Sequence, residues 1–308
     1  MKVSFLNESN KFNSKAFGDL LFAGLVLVTS MTAIVFLFGI ILTLFQGGFE
    51  VFRKVGVLKF VFGLNWYPTY EPAEFGILPL IIGSLVVTVG ALCLSIPLGV
   101  GSAIYISEMA RPREKELLKP LLELLAGIPS VIYGLFGMAF LAPFIRHLFN
   151  LDTGLNALTA SIILGVMVIP IVASMTEDAL NSVPMALREA SYALGASRWE
   201  TIWQVVVPAA RSGILSAVIL GFGRAIGETM VVLMVAGNSA IIPHSIFDPV
   251  RPMPSAVAAE MGETAFGTLH FQALFGIAIV LFAITFVSNI LTEIVRSRIV
   301  RKSGGGAR

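Results

Sequence analysis

The sequence predicts an all-α integral membrane protein of six transmembrane helices, with one short helical hairpin held outside the bilayer. Three observations predict this class. Residues 20–45 form an apolar run without a single charge, longer than the ~20 residues a helix needs to cross the hydrocarbon core. The 308-residue chain is 56% hydrophobic and only 13% charged, with a mean hydropathy of +0.88, whereas a soluble domain is about 25% charged. Against that background Pro184 to Pro208 is a long polar interval carrying its own helix start and stop signals.

Residues 1–19 are polar and carry Lys2, Lys11 and Lys15, which reads as a terminal tail. The first span, 20–45, is too long for the ~7–15-residue core of a signal peptide, so it is a retained helix. Residues 46–75 place Trp66, Tyr67 and Tyr70 beside Pro68 and Pro72, the composition of an interfacial loop. A second span covers 76–107, interrupted at Pro97-Leu98-Gly99-Val100-Gly101, and a charged loop runs from Arg111 to Lys119. The third span is expected at 121–145, with Gly127-Ile128-Pro129-Ser130 breaking or kinking it, and the fourth at 155–175. The polar hairpin region, 176–212, separates these from a fifth span at 213–237. A Pro-rich loop at 238–270, a sixth span at 271–295 and a basic tail at 296–308 complete the chain. Ser84, Thr88, Ser95 and Ser161 either line a pathway or hydrogen-bond between helices.

The hairpin signals are local. Ser182 and Pro184 can start a helix, and Leu187, Ala190 and Leu194 follow at helical spacing. Gly195 suits the left-handed residue that ends a helix. Ser197-Arg198-Trp199-Glu200 is an S-x-x-E capping box that opens a second helix. Pro208 is expected to end it.

Cation counting orients the bundle. Six spans put both termini on one side, together with the loops after the second and fourth spans. That side holds fifteen cations, three in the first tail, five in the last, and Arg111, Arg113, Lys115, Lys119, Arg188, Arg198 and Arg211. The other side holds five, Arg53, Lys54, Lys59, Arg146 and Arg251. Basic residues accumulate on the cytoplasmic side, so both termini and the hairpin are expected there.

Arg224 and Glu228 stand apart. They lie in Gly223-Arg224-Ala225-Ile226-Gly227-Glu228-Thr229, within the predicted fifth span. An intramembrane charge costs ~2.5–3.5 kcal/mol even on lenient insertion scales, so it faces protein or water and commonly marks function. The i, i+4 spacing puts both on one helix face, where they can pair. Either the two serve a transport pathway or they form a structural ion pair. Single Cys93 and three scattered histidines offer no disulfide framework or metal cluster. A formal charge of +2 gives no reason to expect nucleic acid. No G-x-x-x-x-G-K-[ST] loop is present, so any ATP hydrolysis belongs to a partner, and no cofactor is expected.

The hairpin also carries a family pattern. Glu189-Ala190-Ser191, three residues, Gly195, nine residues and Val205-Val206-Val207-Pro208 resemble the EAA loop of ABC importer permeases, E-A-A-x3-G-x9-I-x-L-P. The departures are a serine for the second alanine and valines for the isoleucine and leucine. The resemblance implies a coupling helix, with Leu187, Glu189, Ala190, Leu194 and Gly195 docked into a cytoplasmic ATPase. Arg224 to Met230, Ala126 to Gly134 and Pro254 to Glu263 resemble the phosphate-specific branch, its PstC-type permease more than the shorter PstA type. That branch implies a type I permease domain at 76–295, a second PstA-like permease, a dimer of ATPase subunits, a periplasmic phosphate-binding protein and location in a bacterial inner membrane. It also implies import of inorganic phosphate by alternating access, with Arg224 and Glu228 in the pathway. A sulfate or molybdate permease shares this chemistry. An ion-coupled secondary carrier would use intramembrane Arg and Glu without the hairpin, and an assembly protein would leave both charges unused.

Overall fold

The computed structural model describes the backbone of residues 5–304 and the side chains of 19–291, 293 and 294. The predicted basic tails, with Lys2, Lys11, Lys15, Arg296, Arg298, Arg301, Lys302 and Arg308, thus lie outside the described side chains.

Among the described residues, six helical segments are long and apolar enough to cross a membrane: Asp19–Val55, Leu78–Met109, Ser130–Phe149, Ala157–Asn181, Arg198–Ile226 and Leu269–Leu291. The first belongs to α1 (Phe5–Val55) and the last to α13 (Leu269–Gly304). Between them run α2 (Val57–Phe62), a two-stranded ribbon of β1 (Trp66–Tyr67) and β2 (Glu74–Phe75), and α3 (Leu78–Ile104). Next come α4 (Pro112–Gly127), α5 (Ser130–Phe136), α6 (Ala142–Phe149) and α7 (Ala157–Asn181). Then follow α8 (Met185–Ala193), α9 (Arg198–Thr201), α10 (Val207–Ile226), α11 (Met230–Val235) and α12 (Met253–Glu260).

The centre is α3 packed along α7. Lipid is as apolar as leucine, so helices in a bilayer associate through close packing of small residues rather than through a hydrophobic driving force. A Cβ added at Gly165 of α7 would fall 3.0 Å from the Ala91 carbonyl oxygen of α3. One added at Gly99 of α3 or Gly221 of α10 would fall 2.9 Å from the Val172 side chain. Val87, Ala91, Ala160, Leu164, Val168 and Val172 fill this middle core. A second core, including Val51, Phe60, Ile77, Leu80, Met253 and Leu274, closes one end. A third, including Ala103, Ile104, Leu180, Ile202 and Val206, closes the end that carries α8 and α9. Outward-facing Val89, Phe140 and Phe286 are each more than half exposed, the surface a bilayer would cover.

The segment boundaries depart from the sequence reading where a breaker residue serves packing instead. The first span does not stop at 45, because Gly47 and Gly48 remain helical and let Phe275, Gly276 and Ile279 of α13 approach. Pro97 and Gly99 do not interrupt the second span, where Gly99 gives the contact with Val172. The predicted loop Arg111 to Lys119 is the first half of α4, opened by Pro112 in its first turn and by Glu114 accepting the Arg111 N–H at 2.9 Å. The break at Gly127-Ile128-Pro129 does occur, but it divides α4 from the third span, which starts at Ser130 rather than 121. Asn156 caps α7 by accepting the Thr159 N–H, and the fourth span reaches Asn181 rather than 175.

The fifth span differs most. Pro208 ends nothing: α9 passes through a π-helical turn at Ile202–Val206 into α10, with Pro208 in the first turn of α10. A wide turn relieves the crowding that proline brings to an α-helix. The helix then ends at Ile226, before the predicted 237, and resumes as α11. The predicted loop 238–270 contains α12, whose Met253 to Ala256 are buried. Met253 N–H donates to Ser84 Oγ at 2.8 Å, so Ser84 is an interhelical partner.

The loops after the first, third and fifth spans meet at one end. Ala157 and Leu158 N–H groups donate to Asp248 and Ile246 carbonyls at 3.0 and 2.8 Å, and Trp66 Nε1 donates to Glu260. Ser197 is exposed at the hairpin end and Ala265 at this opposite end. In a Cys93→Ser background, Ser197→Cys and Ala265→Cys should each react with an impermeant maleimide from a different side of the membrane. Reaction of both from one side contradicts six spans.

Candidate functional site in the fifth span and the helical hairpin

The hairpin closes by backbone chemistry that its sequence dictates. The N–H groups of Gly195 and Ala196 donate to the Tyr192 and Ser191 carbonyls at 2.9 and 3.2 Å, the paired bonds of a Schellman turn. This places Gly195 at φ +84°, a conformation open to glycine and costly for a β-branched residue. Ser197 and Glu200 form the reciprocal capping box, with Glu200 accepting the Ser197 N–H at 2.8 Å. Across the turn, Ser191 and Thr201 hydroxyls meet at 2.9 Å.

Much of what this hairpin, a projecting knob, shows to solvent is apolar. Leu194 is 90% exposed, and Met185, Leu187, Tyr192 and Trp199 are each more than 40% exposed. Glu189 and Ala190 are exposed beside them. An exposed apolar patch on a polar element is the mark of a protein contact. Leu187, Glu189, Ala190, Leu194 and Gly195 thus share one projecting element.

α9, the π-helical turn and α10 form one continuous rod, with Arg224 near its far end and Glu228 just beyond it. Roughly 35 Å of helix, at ~1.5 Å per residue, separates Glu200 from Arg224. The two charges do not share one continuous helix, as their spacing had suggested. Arg224 sits in the last turn of α10, the chain leaves helical geometry after Gly227, and Glu228 precedes α11. Arg224 Nη2 and Glu228 Oε2 are 3.8 Å apart, too far for a hydrogen bond. Glu228 is 7% exposed, and its Oε1 accepts the Met230 N–H at 3.2 Å. Each charge therefore meets the favourable end of its own helix dipole, the cation at a C-terminus and the anion at an N-terminus. The Arg224 side chain is 52% exposed. Among the described residues it has no hydrogen-bond partner, so its planar fork of donors is available. A Cβ at Gly223 would meet nothing within 4 Å, so that glycine does not seat another helix of this chain.

Two polar clusters escaped the sequence reading. Glu260 collects Trp66 Nε1 at 3.1 Å, Arg251 Nη1 at 2.6 Å and His270 Nε2 at 2.7 Å, beside a cavity of about 520 Å³. At the hairpin end Arg188 pairs with Glu108 at 2.8 Å. The cue was the acid of Ser107-Glu108 at the edge of the second span, but its partner lies 80 residues on.

Comparison with known proteins agrees with this architecture. Residues 95–301 match the family described as binding-protein-dependent transport system inner membrane component. The chain is 39% identical over 279 residues to a probable ABC transporter permease protein, YqgH, of Bacillus subtilis, covering 89% of this chain and 90% of that one. It is 33% identical over 308 residues to the phosphate transport system permease protein PstC of Mesorhizobium japonicum, covering 94% and 93%. In fold it resembles a chain of a bacterial alginate ABC transporter, crystallised with a periplasmic protein bound to an alginate pentasaccharide. There the TM-score is 0.65 at 15% identity, over 93% of this chain and 97% of that one. The chain is a multi-pass membrane protein that belongs to the family of inner-membrane permease components of binding-protein-dependent transport systems.

Proposed function

We propose that this chain is the permease subunit of an ATP-driven importer of inorganic phosphate, working beside a second, PstA-like permease. A dimer of cytoplasmic ATPase subunits drives it, and a periplasmic protein delivers the anion. The observation that carries the reading is Arg224, half exposed at a helix break inside a bundle with few other charges. The PstC name of its relatives supports phosphate as cargo. The hairpin side is cytoplasmic in this reading, supported by the fifteen-to-five cation count.

The geometry supports a mechanical account. ATP binding draws the ATPase subunits together and moves the docked knob. α9, the π turn and α10 form one rod from knob to break, so displacement at Leu187 to Gly195 reaches Arg224. The break at Gly227 to Thr229 is where the rod can change angle without straining a helix. Phosphate carries one to two negative charges near neutral pH, and a guanidinium lowers the barrier to its passage while matching its oxygens in a fork. Glu228, held by the N-terminus of α11, stays near enough to orient the arginine.

Arg224→Gln should leave the complex assembled and hydrolysing ATP while uptake falls roughly 10- to 100-fold, since hydrogen bonds to charged groups contribute ~1.5–3 kcal/mol. Arg224→Lys should recover part of the loss. Uptake restored in Arg224→Gln/Glu228→Gln would show that the pair is scaffold and not pathway.

Gly195→Val should uncouple hydrolysis from uptake or release the ATPase, at a conformational cost of ~1–3 kcal/mol. Among the described residues none lies within 4 Å of a Cβ there, so the strain is one of backbone conformation. Gly195→Asn, which tolerates the left-handed region, should remain coupled. Normal transport in the valine variant would remove the hairpin as the coupling element.

A further inference from the structure

Arg188 is on the knob but does not face outward. Its side chain is 11% exposed, and it turns back into the bundle. Nη2 donates to Glu108 Oε1 at 2.8 Å and to the Leu180 carbonyl at 2.9 Å, and Nη1 donates to the Val183 carbonyl at 2.5 Å. One guanidinium thus ties α8 to the end of the second span and to the end of the fourth. Glu108 is equally enclosed, at 10% exposure. It sits in a π-helical turn, Tyr105–Met109, that extends α3. Such a turn adds a residue and re-aims the side chains within it, and it recurs at functional positions.

The tie continues on both sides. Arg198, in the first turn of α9, donates to the Glu108 carbonyl. Ser107 Oγ donates to Asn181 Oδ1 at 2.8 Å, and Asn181 Nδ2 donates to Glu177 Oε1 at 2.5 Å. Glu177, 5% exposed in α7, accepts Lys119 Nζ of α4 at 2.8 Å. That hydrogen bond holds the Lys119 ammonium above its ordinary pKa against the opposing effect of burial. The polar chain runs from the knob across α3 and α7 to α4 with its main groups satisfied. A satisfied network of this kind rigidifies its surroundings.

We propose that Glu108 and Arg188 are positioning residues that make the knob move as one body with the ends of the second and fourth spans. Displacement by the ATPase then enters the bundle along two routes, the rod to Arg224 and the α3–α7 pair. This rests on the reading of the knob as the ATPase dock.

The test uses the complete importer, purified through a tag on this chain and reconstituted in vesicles with radiolabelled inorganic phosphate and ATP. Glu108→Gln keeps the volume but removes the charge, and Arg188→Lys keeps the charge but loses the fork. Both should retain the ATPase and continue hydrolysing ATP. Phosphate moved per ATP should fall roughly tenfold, with KM for phosphate unchanged. The double variant should be no worse than the poorer single, because each breaks the same tie. Normal phosphate per ATP in both singles overturns the proposal, and so does a fall in ATPase retention, which would make the pair part of the dock itself. Leu187→Arg separates the two readings, because ATPase retention in that variant rejects the dock whatever the pair does. If either single variant leaves too little of this chain in the membrane to purify, spin labels on Met109→Cys and Ser197→Cys in Cys93→Ser complexes decide. One distance, the same with and without bound nucleotide, supports a single body, and a distance that changes with nucleotide refutes it.

Discussion

The close approach of α3 and α7 is the contact on which the remaining structure depends. With no water to expel, their association comes from fitting backbone against backbone at small residues. Gly90 against the Ser161 side chain is where that fit is tightest, with Gly165 against the Ala91 carbonyl and Gly99 against Val172 along the same seam. Val172 also receives Gly221 of α10, so the fifth span is set by the same side chain. The ends of this pair carry polar anchors for the neighbouring elements. At one end Glu108 and Glu177 extend from it to hold the hairpin and α4. At the other, Ser84 receives α12 through the Met253 N–H.

The break in the fifth span shows how a bilayer protein keeps two charges without locking them together. A tight ion pair would bury the guanidinium and occupy its donors. Here the carboxylate is turned to the start of α11 and the guanidinium stays at the end of α10, 3.8 Å away. Each charge draws on a helix terminus, so neither relies wholly on the other. The arginine is left with donors to offer. The proposed pathway role rests on that arrangement, because a scaffold would gain from saturated hydrogen bonds.

Much of the fold was legible because a membrane leaves few solutions. Six apolar runs gave six spans, and the turn chemistry of Gly195 and the Ser197–Glu200 box was local enough to be read from spacing alone. The boundaries failed where a residue type has two uses. Gly47, Gly48 and Gly99 look like stops but are contact points, a distinction that depends on helices far away in sequence. Pro208 looked like a terminator, and a π turn absorbed it. Arg224 and Glu228 were visible as charges in an apolar span, yet their i, i+4 spacing concealed the break between them. The Glu108–Arg188 tie was invisible because it joins residues 80 positions apart and depends on a π turn that re-aims one of them.

Phosphate as the cargo is tested most directly on the assembled importer. Vesicles containing the complete complex should accumulate radiolabelled phosphate with ATP, undiminished by a large excess of sulfate or molybdate and abolished by a similar excess of unlabelled phosphate. Sulfate or molybdate suppressing phosphate entry as well as phosphate itself does would contradict the assignment and make Arg224 the donor for a different oxyanion.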